Sequence, residues 1–233
     1  MAKERLVLFD IDGTLLLSAG AGRRAILAAL VDEIGHATGV DQIHFGGKTD
    51  PQIAFELLDA AGHPDRSNPV RIEALLARYL THLDRELARY GHLAEVMPGI
   101  LPLLDRLEAD ERIVLGLLTG NVSRGAAMKL RAVSLDPERF VVGAYGSDHA
   151  ARSELPAIAA ERARAHFGRA PRGKEVIIIG DTPADVTCGL GIGATSIAVA
   201  TGGFTAADLE AAGAHHVFVD LSDTARVHSA IVA

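Results

Sequence analysis

The chain contains short apolar runs that are continuous rather than alternating with polar residues. Four are clear and two are weaker: residues 6–10, 113–118, 176–180 and 195–199, then 140–142 and 216–219. Continuous apolar runs of this length are typical of parallel strands that are buried on both faces. We therefore predict that these segments form strands of one parallel sheet.

Helical patterns lie between the predicted strands, at residues 100–108, 123–133, 154–167, 183–191 and 206–212. Strands that alternate with helices indicate an α/β fold with a doubly wound, Rossmann-like parallel sheet. In such a sheet, ligands bind at the carboxyl ends of the strands. The residues that follow each predicted strand are therefore the first candidates for chemistry.

The alternation is interrupted between about residues 17 and 95. That stretch has no convincing strand, but it contains three helical stripes of apolar residues, the first of them around Leu30. Stripes at helical spacing predict helices that bury one face. We interpret residues 17–95 as an all-α helical cap domain inserted into a core formed by residues 1–16 and 96–233.

Composition and charge narrow the class of protein. Hydrophobic residues make up 48% and charged residues 23% of the 233 residues, as in folded soluble proteins. The net charge of −7 has both signs interspersed, which argues against a nucleic-acid partner. The sequence shows neither a membrane span nor a signal peptide, so we expect a cytoplasmic protein without a membrane partner. Cys188 is the single cysteine, which excludes an intrachain disulfide.

Two carboxylates follow the first predicted strand, in the segment Asp10-Ile11-Asp12-Gly13-Thr14. One carboxylate can act as nucleophile and metal ligand while the other serves as acid and base. Gly13 suits a sharp turn and a close approach of the backbone to a ligand. The alternative is an ordinary acidic turn, since Asp and Gly are common after strands.

Two other predicted strands also end in polar segments. Thr119-Gly120-Asn121 offers a hydroxyl and backbone amides to phosphate oxygens, although the same trio also suits a turn and a helix cap. Asp181 and Asp185 offer oxygen ligands to a hard metal ion, or they belong to the cap of a helix. All three segments would open onto the same edge of a parallel sheet, which favours one site over three unrelated caps.

The order of these segments resembles that of the haloacid dehalogenase-like hydrolase superfamily. It runs Asp-x-Asp-Gly-Thr, then Thr-Gly-Asn, then Gly-Asp-Thr-Pro-x-Asp, and the likeness covers nearly the whole chain. More closely, the chain resembles the branch of the phosphoglycolate phosphatases and β-phosphoglucomutases, which carry a helical cap after the first motif.

The resemblance implies a role for each acidic residue. Asp10 would attack phosphorus and form an aspartyl-phosphate, while Asp12 would protonate the leaving group and then activate water. Magnesium would be held by the carboxylates of Asp10 and Asp181 and the backbone carbonyl of Asp12, with Asp185 ordering its surroundings. An acid at Asp12 also disfavours a dehalogenase, which lacks one at that place.

The resemblance also implies contacts to the phosphoryl group. They would come from Thr119, from the backbone around Gly120 and Asn121, and from Thr14.

One motif of the family departs from its usual form. The third motif supplies a lysine, but residues 147–155 contain none. Arg152 is the candidate replacement, because arginine keeps the charge and grips two oxygens at once. Lys129 and Lys174 are the alternatives; Lys129 is expected on the solvated side of a helix, and Lys174 precedes a strand at the wrong end.

Within the predicted cap, the segment Phe45-Gly46-Gly47-Lys48-Thr49-Asp50 is the part most like a binding site. Its two glycines allow unusual backbone angles, and Lys48 would reach an anionic group on the substrate. The alternative is a loop that precedes a capped helix. Arg23 and Arg24 are further candidates, although we expect them to be solvated.

Together these observations predict a Mg²⁺-dependent phosphatase that acts on a small phosphorylated metabolite. A sugar-phosphate mutase is the nearest alternative, because it would use the same aspartyl-phosphate and the same Asp12. A non-catalytic phospho-aspartate switch of the receiver type is disfavoured, since a receiver needs no lid over its aspartate. The sequence determines neither the metabolite nor the oligomeric state.

Overall fold

The computed structural model describes residues 3–233. In this part of the chain the strands are β1 (Arg5–Phe9), β2 (Leu16–Leu17), β3 (Glu95–Val96), β4 (Ile113–Thr119), β5 (Val142–Tyr145), β6 (Val176–Gly180), β7 (Thr195–Val199) and β8 (His216–Phe218). The helices are α1 (Ala21–Ile34), α2 (Asp50–Ala60), α3 (Pro69–Tyr90), α4 (Ile100–Glu108), α5 (Ser123–Ala132), α6 (Leu155–Arg162), α7 (Arg164–Phe167), α8 (Pro183–Cys188), α9 (Ala206–Ala211) and α10 (Thr224–Val232). No helix among these has the length and apolar character needed to cross a membrane.

Six strands form one sheet in the order β5-β4-β1-β6-β7-β8, and every neighbouring pair is parallel. Helices α4 and α10 pack on one face, and α6 and α8 pack on the other. This arrangement confirms the predicted doubly wound α/β fold. Strand β1 lies between β4 and β6, where the strand order reverses, and such a switch point opens a crevice at the strand ends.

The central strand β1 is buried on both of its faces. Val7 and Phe9 join the apolar cluster with α4 and α10, whereas Leu6 and Leu8 join the cluster with α6 and α8. All four side chains are fully buried, and each burial stabilises the fold by about 1.5–3 kcal/mol. This two-sided burial explains the continuous apolar run, and it holds the residue after the strand, Asp10, in a rigid position.

The residues between β2 and β3 form helices α1, α2 and α3 around an apolar cluster of their own. Its buried side chains include Leu30, Leu57 and Tyr79, and it also takes in Val122 at the start of α5. The expectation that this stretch lacks strands was incomplete, because β2 and β3 pair antiparallel at its two ends. Two-residue strands leave no apolar run for the sequence pattern to reveal. The proposed division into core and cap stays a prediction.

One strand of the main sheet begins later than the sequence pattern indicated. A strand was expected at 140–142, but β5 begins at Val142, where it pairs with Gly116. The Phe140 N–H bonds back to the Pro137 carbonyl at 3.2 Å in a turn, so it is not available to the sheet.

One helix is divided in two. The helix expected at 154–167 is interrupted at Ala163, where the His166 N–H bonds to the Ala163 carbonyl at 2.9 Å.

Candidate active site

Three neighbouring strands deliver polar side chains to one edge of the sheet. β1 leads into Asp10, β4 ends at Thr119, and β6 leads into Asp181. All three residues are buried: Asp10 is 6% exposed, Thr119 0% and Asp181 4%. The parallel sheet therefore brings together the three polar segments that lie far apart in the sequence.

Asp10, Asp181 and Asp185 form a buried acidic cluster, in which one carboxylate oxygen of each lies within 4.8 Å of the others. Burial raises the pKa of Asp10 to about 6 and that of Asp181 to about 8, and the neighbouring carboxylates add to both effects. Carboxylates this close together repel one another, and a bound divalent cation would relieve that repulsion. Carboxylate oxygens are also the ligands that a hard divalent cation prefers. The residues at this site therefore fit a magnesium ion.

Arg152 lies beside the acidic cluster. Its Nη2 atom is 3.1 Å from Asp10 Oδ1 and also donates a hydrogen bond to Asp185 Oδ1. The side chain is buried, and its Nε has no hydrogen-bond partner among residues 3–233. Arg152 thus places a buried cation with a spare donor next to the candidate nucleophile. Lys174, by contrast, is exposed and lines a small pocket with Arg5 at the other end of the sheet.

Asp185 is held in the first turn of α8. Its Oδ2 accepts hydrogen bonds from the Thr182 N–H at 3.0 Å and from Thr182 Oγ1 at 2.6 Å, in a capping box at the start of α8. Its other oxygen accepts the bond from Arg152. With both oxygens bound to protein donors, Asp185 orients Arg152 and completes the acidic cluster.

The turn after β1 is shaped by Gly13. Its φ of 81° lies in the left-handed region, and a β-carbon there would lie 2.4 Å from Asp181 Oδ2. Thr14, the next residue, donates from Oγ1 to Asp181 Oδ1 at 3.1 Å. Only glycine allows this close approach of the first segment to Asp181.

The side chains of Asp12, Asn121 and Lys129 form a hydrogen-bonded network of their own. Lys129 Nζ lies 2.6 Å from Asp12 Oδ2 and 2.6 Å from Asn121 Oδ1. Asn121 Nδ2 donates to Asp12 Oδ2 and to Thr119 Oγ1, both at 2.8 Å. Burial favours a higher pKa for Asp12, but the charge of Lys129 and the hydrogen bonds outweigh it and lower that pKa.

The solvated position expected for Lys129 was wrong, because the residue is only 4% exposed. It lies on the same face of α5 as Ala126 and Leu130, which are buried in the core. That spacing was a usable signal, since a lysine within an apolar helical stripe is either buried with a partner or reaches a site.

The segment at 45–50 contacts the core directly. The Asp50 N–H donates to the Gly120 carbonyl at 2.7 Å, and Asp50 Oδ2 accepts from the Val122 N–H at 2.8 Å. Thr49 Oγ1 donates to the Ala150 carbonyl at 2.6 Å. The sequence offered Asp50 only as part of a loop or helix start, whereas the structure buries its carboxylate at the junction.

Helices α1–α3 and the strand ends line an open cavity of about 460 Å³, a volume typical of small-molecule sites. The candidate residues among those that line it are Asp10, Asp12, Arg23, Lys48, Thr119, Gly120, Asn121, Lys129, Arg152 and Asp181. Lys48 Nζ pairs with Glu56 at 2.5 Å, and the Arg23 guanidinium lies 4.5 Å from the centre of the Phe45 ring. Arg24 is exposed and pairs with Glu86.

Residues 4–193 match the sequence model of a family described as haloacid dehalogenase-like hydrolase. The match covers most of the chain and confirms the family that the motifs resemble. No curated protein matches the chain.

Solved structures share the fold over nearly the full length. A hydrolase from Pseudomonas syringae has a TM-score of 0.74 and 23% identity, covering 98% of this chain and 99% of that one. CbbY from Rhodobacter sphaeroides in complex with phosphate has a TM-score of 0.71 and 19% identity, covering 94% and 95%. A predicted phosphoglycolate phosphatase from Haemophilus somnus 129pt has a TM-score of 0.66 and 17% identity, covering 97% and 98%. At these identities the likeness shows a common fold.

Proposed function

Because the chain belongs to the haloacid dehalogenase-like hydrolase family, we propose that it hydrolyses a small phosphate monoester through an aspartyl-phosphate on Asp10. The observation that carries the proposal is the arrangement around this carboxylate. Asp10 lies at the end of the central strand, within 3.1 Å of the Arg152 guanidinium and inside the acidic cluster with Asp181. The residues proposed as nucleophile, phosphate-binding cation and metal ligands therefore lie side by side, which supports the proposal.

The acidic cluster supports a requirement for Mg²⁺. The carboxylates of Asp10 and Asp181 and the backbone carbonyl of Asp12 would hold the ion, and Asp185 would order the site through Arg152. When bound, the ion neutralises charge on the phosphoryl group that would otherwise repel a carboxylate nucleophile. The hydroxyl of Thr14 donates to Asp181, which favours a role in orienting that ligand over the predicted phosphate contact.

Asp10 and Asp12 divide the chemistry between them. An Asp10 oxygen bonds to phosphorus as the bond from phosphorus to the leaving oxygen breaks, and Asp12 gives that oxygen its proton. Asp12 then takes a proton from a water molecule, which attacks phosphorus and breaks the bond to Asp10. Paired acid and base steps of this kind require one carboxyl group within reach of both oxygens.

The transferred group would be bound by donors at the strand ends. Arg152 offers charged N–H groups next to Asp10, and Thr119 and the backbone N–H of Gly120 lie at the end of β4. The Asn121 side chain is hydrogen-bonded to Asp12 and Lys129, so it would orient those residues instead of binding the phosphoryl group itself. The helices over the cavity would exclude bulk water, which strengthens each of these contacts.

The segment at 45–50 and the residues around it supply the contacts for the remainder of the substrate. Lys48 and Arg23 both line the cavity, and we propose them as the residues that contact the leaving group. The cavity of about 460 Å³ supports a metabolite of modest size.

The experiment is to incubate the protein with Mg²⁺ and a panel of phosphate esters, and to measure free phosphate. Wild type is expected to release phosphate from at least one small monoester, and Asp10→Asn to lower turnover by at least roughly 10³-fold, because the nucleophile of the covalent step is lost. Asp41→Asn, at an exposed position, is the matched control and should retain full turnover. Intact turnover in Asp10→Asn would show that Asp10 is not the nucleophile.

The same panel separates the two alternatives. Conversion of a sugar phosphate to its isomer without phosphate release would identify a mutase. Stable phosphorylation of Asp10 without turnover would identify a phospho-aspartate switch.

A further inference from the structure

We propose that Lys129 is a positioning residue that holds Asp12 by one carboxylate oxygen, so that the other oxygen is directed to the leaving group of the substrate. This inference rests on the proposed phosphatase function and adds a residue to it. Both Lys129 Nζ and Asn121 Nδ2 donate to the same atom, Asp12 Oδ2, at 2.6 and 2.8 Å. Among residues 3–233, the side-chain hydrogen bonds to this carboxylate all end on Oδ2, so Oδ1 is the oxygen left to face the substrate.

The network fixes all three side chains. Asn121 is bound at both ends of its amide, since Oδ1 accepts from Lys129 and Nδ2 donates to Asp12 and Thr119. Lys129 uses two of its three N–H groups on Asn121 and Asp12. The Asp12 side chain is 43% exposed and lines the cavity, so without these two donors it would be free to change rotamer.

The Lys129 ammonium group lies close to helices α1 and α3 as well as to its own helix. Lys129 lies on α5, yet a β-carbon at Gly22 on α1 would be only 3.2 Å from Nζ and 3.8 Å from the Tyr79 hydroxyl on α3. Low solvent access strengthens an ion pair relative to one in water. The pair between Lys129 and Asp12 is therefore assembled where α1 and α3 pack over α5.

Orientation of Asp12 matters because its proton must reach one particular atom. As the Asp10–phosphorus bond forms and the bond to the leaving oxygen breaks, the proton on Asp12 Oδ1 passes to that oxygen. Misplacement of a catalytic group by about 1 Å reduces rates by roughly 10²-fold. The value of kcat/KM reports the steps up to departure of the leaving group, so for a leaving group that departs without a proton it does not depend on this orientation; the later attack of water, which also uses Asp12, affects only kcat.

The test compares Lys129→Met with wild type on two monoesters in the presence of Mg²⁺. One is the best alkyl phosphate from the panel, whose alkoxide needs a proton to leave, and the other is p-nitrophenyl phosphate, whose phenolate does not. We expect kcat/KM to fall by roughly 10²-fold on the alkyl ester and only a few-fold on the aryl ester. Asp12→Asn should show the same selectivity, whereas Lys174→Met, at an exposed position on the other end of the sheet, should change neither value.

Gly22→Ala is a second variant that should displace Lys129 Nζ. Its methyl carbon would lie 3.2 Å from Lys129 Nζ, while alanine suits the helix better than glycine. We expect a selective loss on the alkyl ester without a lower midpoint of thermal unfolding. This variant decides the matter if Lys129→Met does not fold.

An equal loss on both esters, no loss on either, or a higher KM alone would overturn the role of Lys129. A higher KM alone would show that the lysine binds a substrate anion directly. These outcomes are distinct from a failure of the phosphatase itself, which would appear as an inactive wild type or an active Asp10→Asn.

Discussion

The guanidinium of Arg152 lies 3.1 Å from the carboxylate of Asp10 and bonds to that of Asp185 with the same nitrogen. All three side chains are buried. One cation therefore balances two carboxylates, one directly after β1 and the other in the first turn of α8. Removing it would leave both carboxylates without their counter-charge in a region of low solvent access.

We expect Arg152→Met to lower the free energy of unfolding by about 3–5 kcal/mol at pH 7, because it leaves buried carboxylates unpaired. Phosphate release should be lost as well. Arg152→Lys should retain part of the stability and part of the phosphate release, since lysine keeps the charge but lacks the planar, forked donors of arginine. Urea unfolding and a phosphate assay measure the two effects.

The control for Arg152 is Arg164→Met, which removes an arginine from an exposed pair with Glu161. It should change neither stability nor turnover. If Arg152→Met unfolds at the same urea midpoint as wild type, the conclusion that Arg152 stabilises the fold by neutralising Asp10 and Asp185 is wrong.

Gly13→Ala should disturb both the turn and the proposed metal site. The left-handed angle at Gly13, with φ of 81°, costs a residue with a β-carbon about 1–2 kcal/mol. The new methyl would also displace Asp181, whose Oδ2 lies 2.4 Å from its position. We expect lower stability together with weaker Mg²⁺ binding, measured by calorimetric titration.

Gly168→Ala separates the two effects of that change. Gly168 has a similar φ of 75°, but within residues 3–233 no atom beyond its immediate chain neighbours lies within 4 Å of its would-be β-carbon. This variant should lose stability and keep its Mg²⁺ affinity. Equal Mg²⁺ affinity in Gly13→Ala and Gly168→Ala would show that the contact with Asp181 does not matter.

The Mg²⁺ site proposed at the acidic cluster predicts that the ion raises the midpoint of thermal unfolding, because it would bind the folded chain and not the unfolded one. At a hundredfold excess over Kd the stabilisation is about 2.7 kcal/mol, which corresponds to roughly 5–10 °C for a chain of this size. Asp181→Asn should abolish the increase, whereas Asp208→Asn, which alters an exposed helix cap, should retain it. A chelator should reverse the shift. Identical unfolding with and without Mg²⁺ would argue against a metal site.

The buried carboxyl of Asp50 should make stability depend on pH. Burial raises its pKa to about 6, against the lowering by the Lys129 charge and by the Val122 N–H. Between its unfolded pKa near 3.8 and about 6, the folded state therefore binds a proton that the unfolded state has released. Stability from this group is present at low pH and is lost as the pH rises through that window.

Asp50→Asn should remove this loss while keeping an acceptor for the Val122 N–H. We expect the variant to gain up to about 3 kcal/mol over wild type at pH 8, since the shift is about two units. The gain should shrink towards zero as the pH falls to about 4. Urea unfolding from pH 4.5 to 8 measures it, with Asp41→Asn as an exposed control that shows no such gain. A variant that is less stable than wild type at every pH would contradict the prediction.

Much of the sheet could be predicted because its signals are local. The runs at 176–180 and 195–199 match β6 and β7 in both bounds, since strands buried on both faces need continuous apolar residues. The predicted start of β5 was too early because Phe140 is buried without belonging to the strand. It packs against Phe9, with ring centres 6.4 Å apart. Apolar character reports burial, and burial is not confined to strands.

The polar residues after the strands could also be anticipated, since parallel topology carries the ends of neighbouring strands to one edge. The partners of those residues could not. Nothing local in the sequence links Asp12 to Lys129, because their pairing depends on where α5 lies relative to the end of β1. Asp50 is similar, since its burial arises from the contact of the segment at 45–50 with Val122.

The sequence by itself determined the parallel sheet, the order of the motifs and the placement of Asp10 and Asp181 at strand ends. These follow from continuous apolar runs and from residues adjacent to them in the chain. Only the tertiary structure decided that Lys129 is buried against Asp12. The physical reason is that solvent access and ion pairing are set by contacts between segments distant in the chain, here the packing of α1 and α3 over α5.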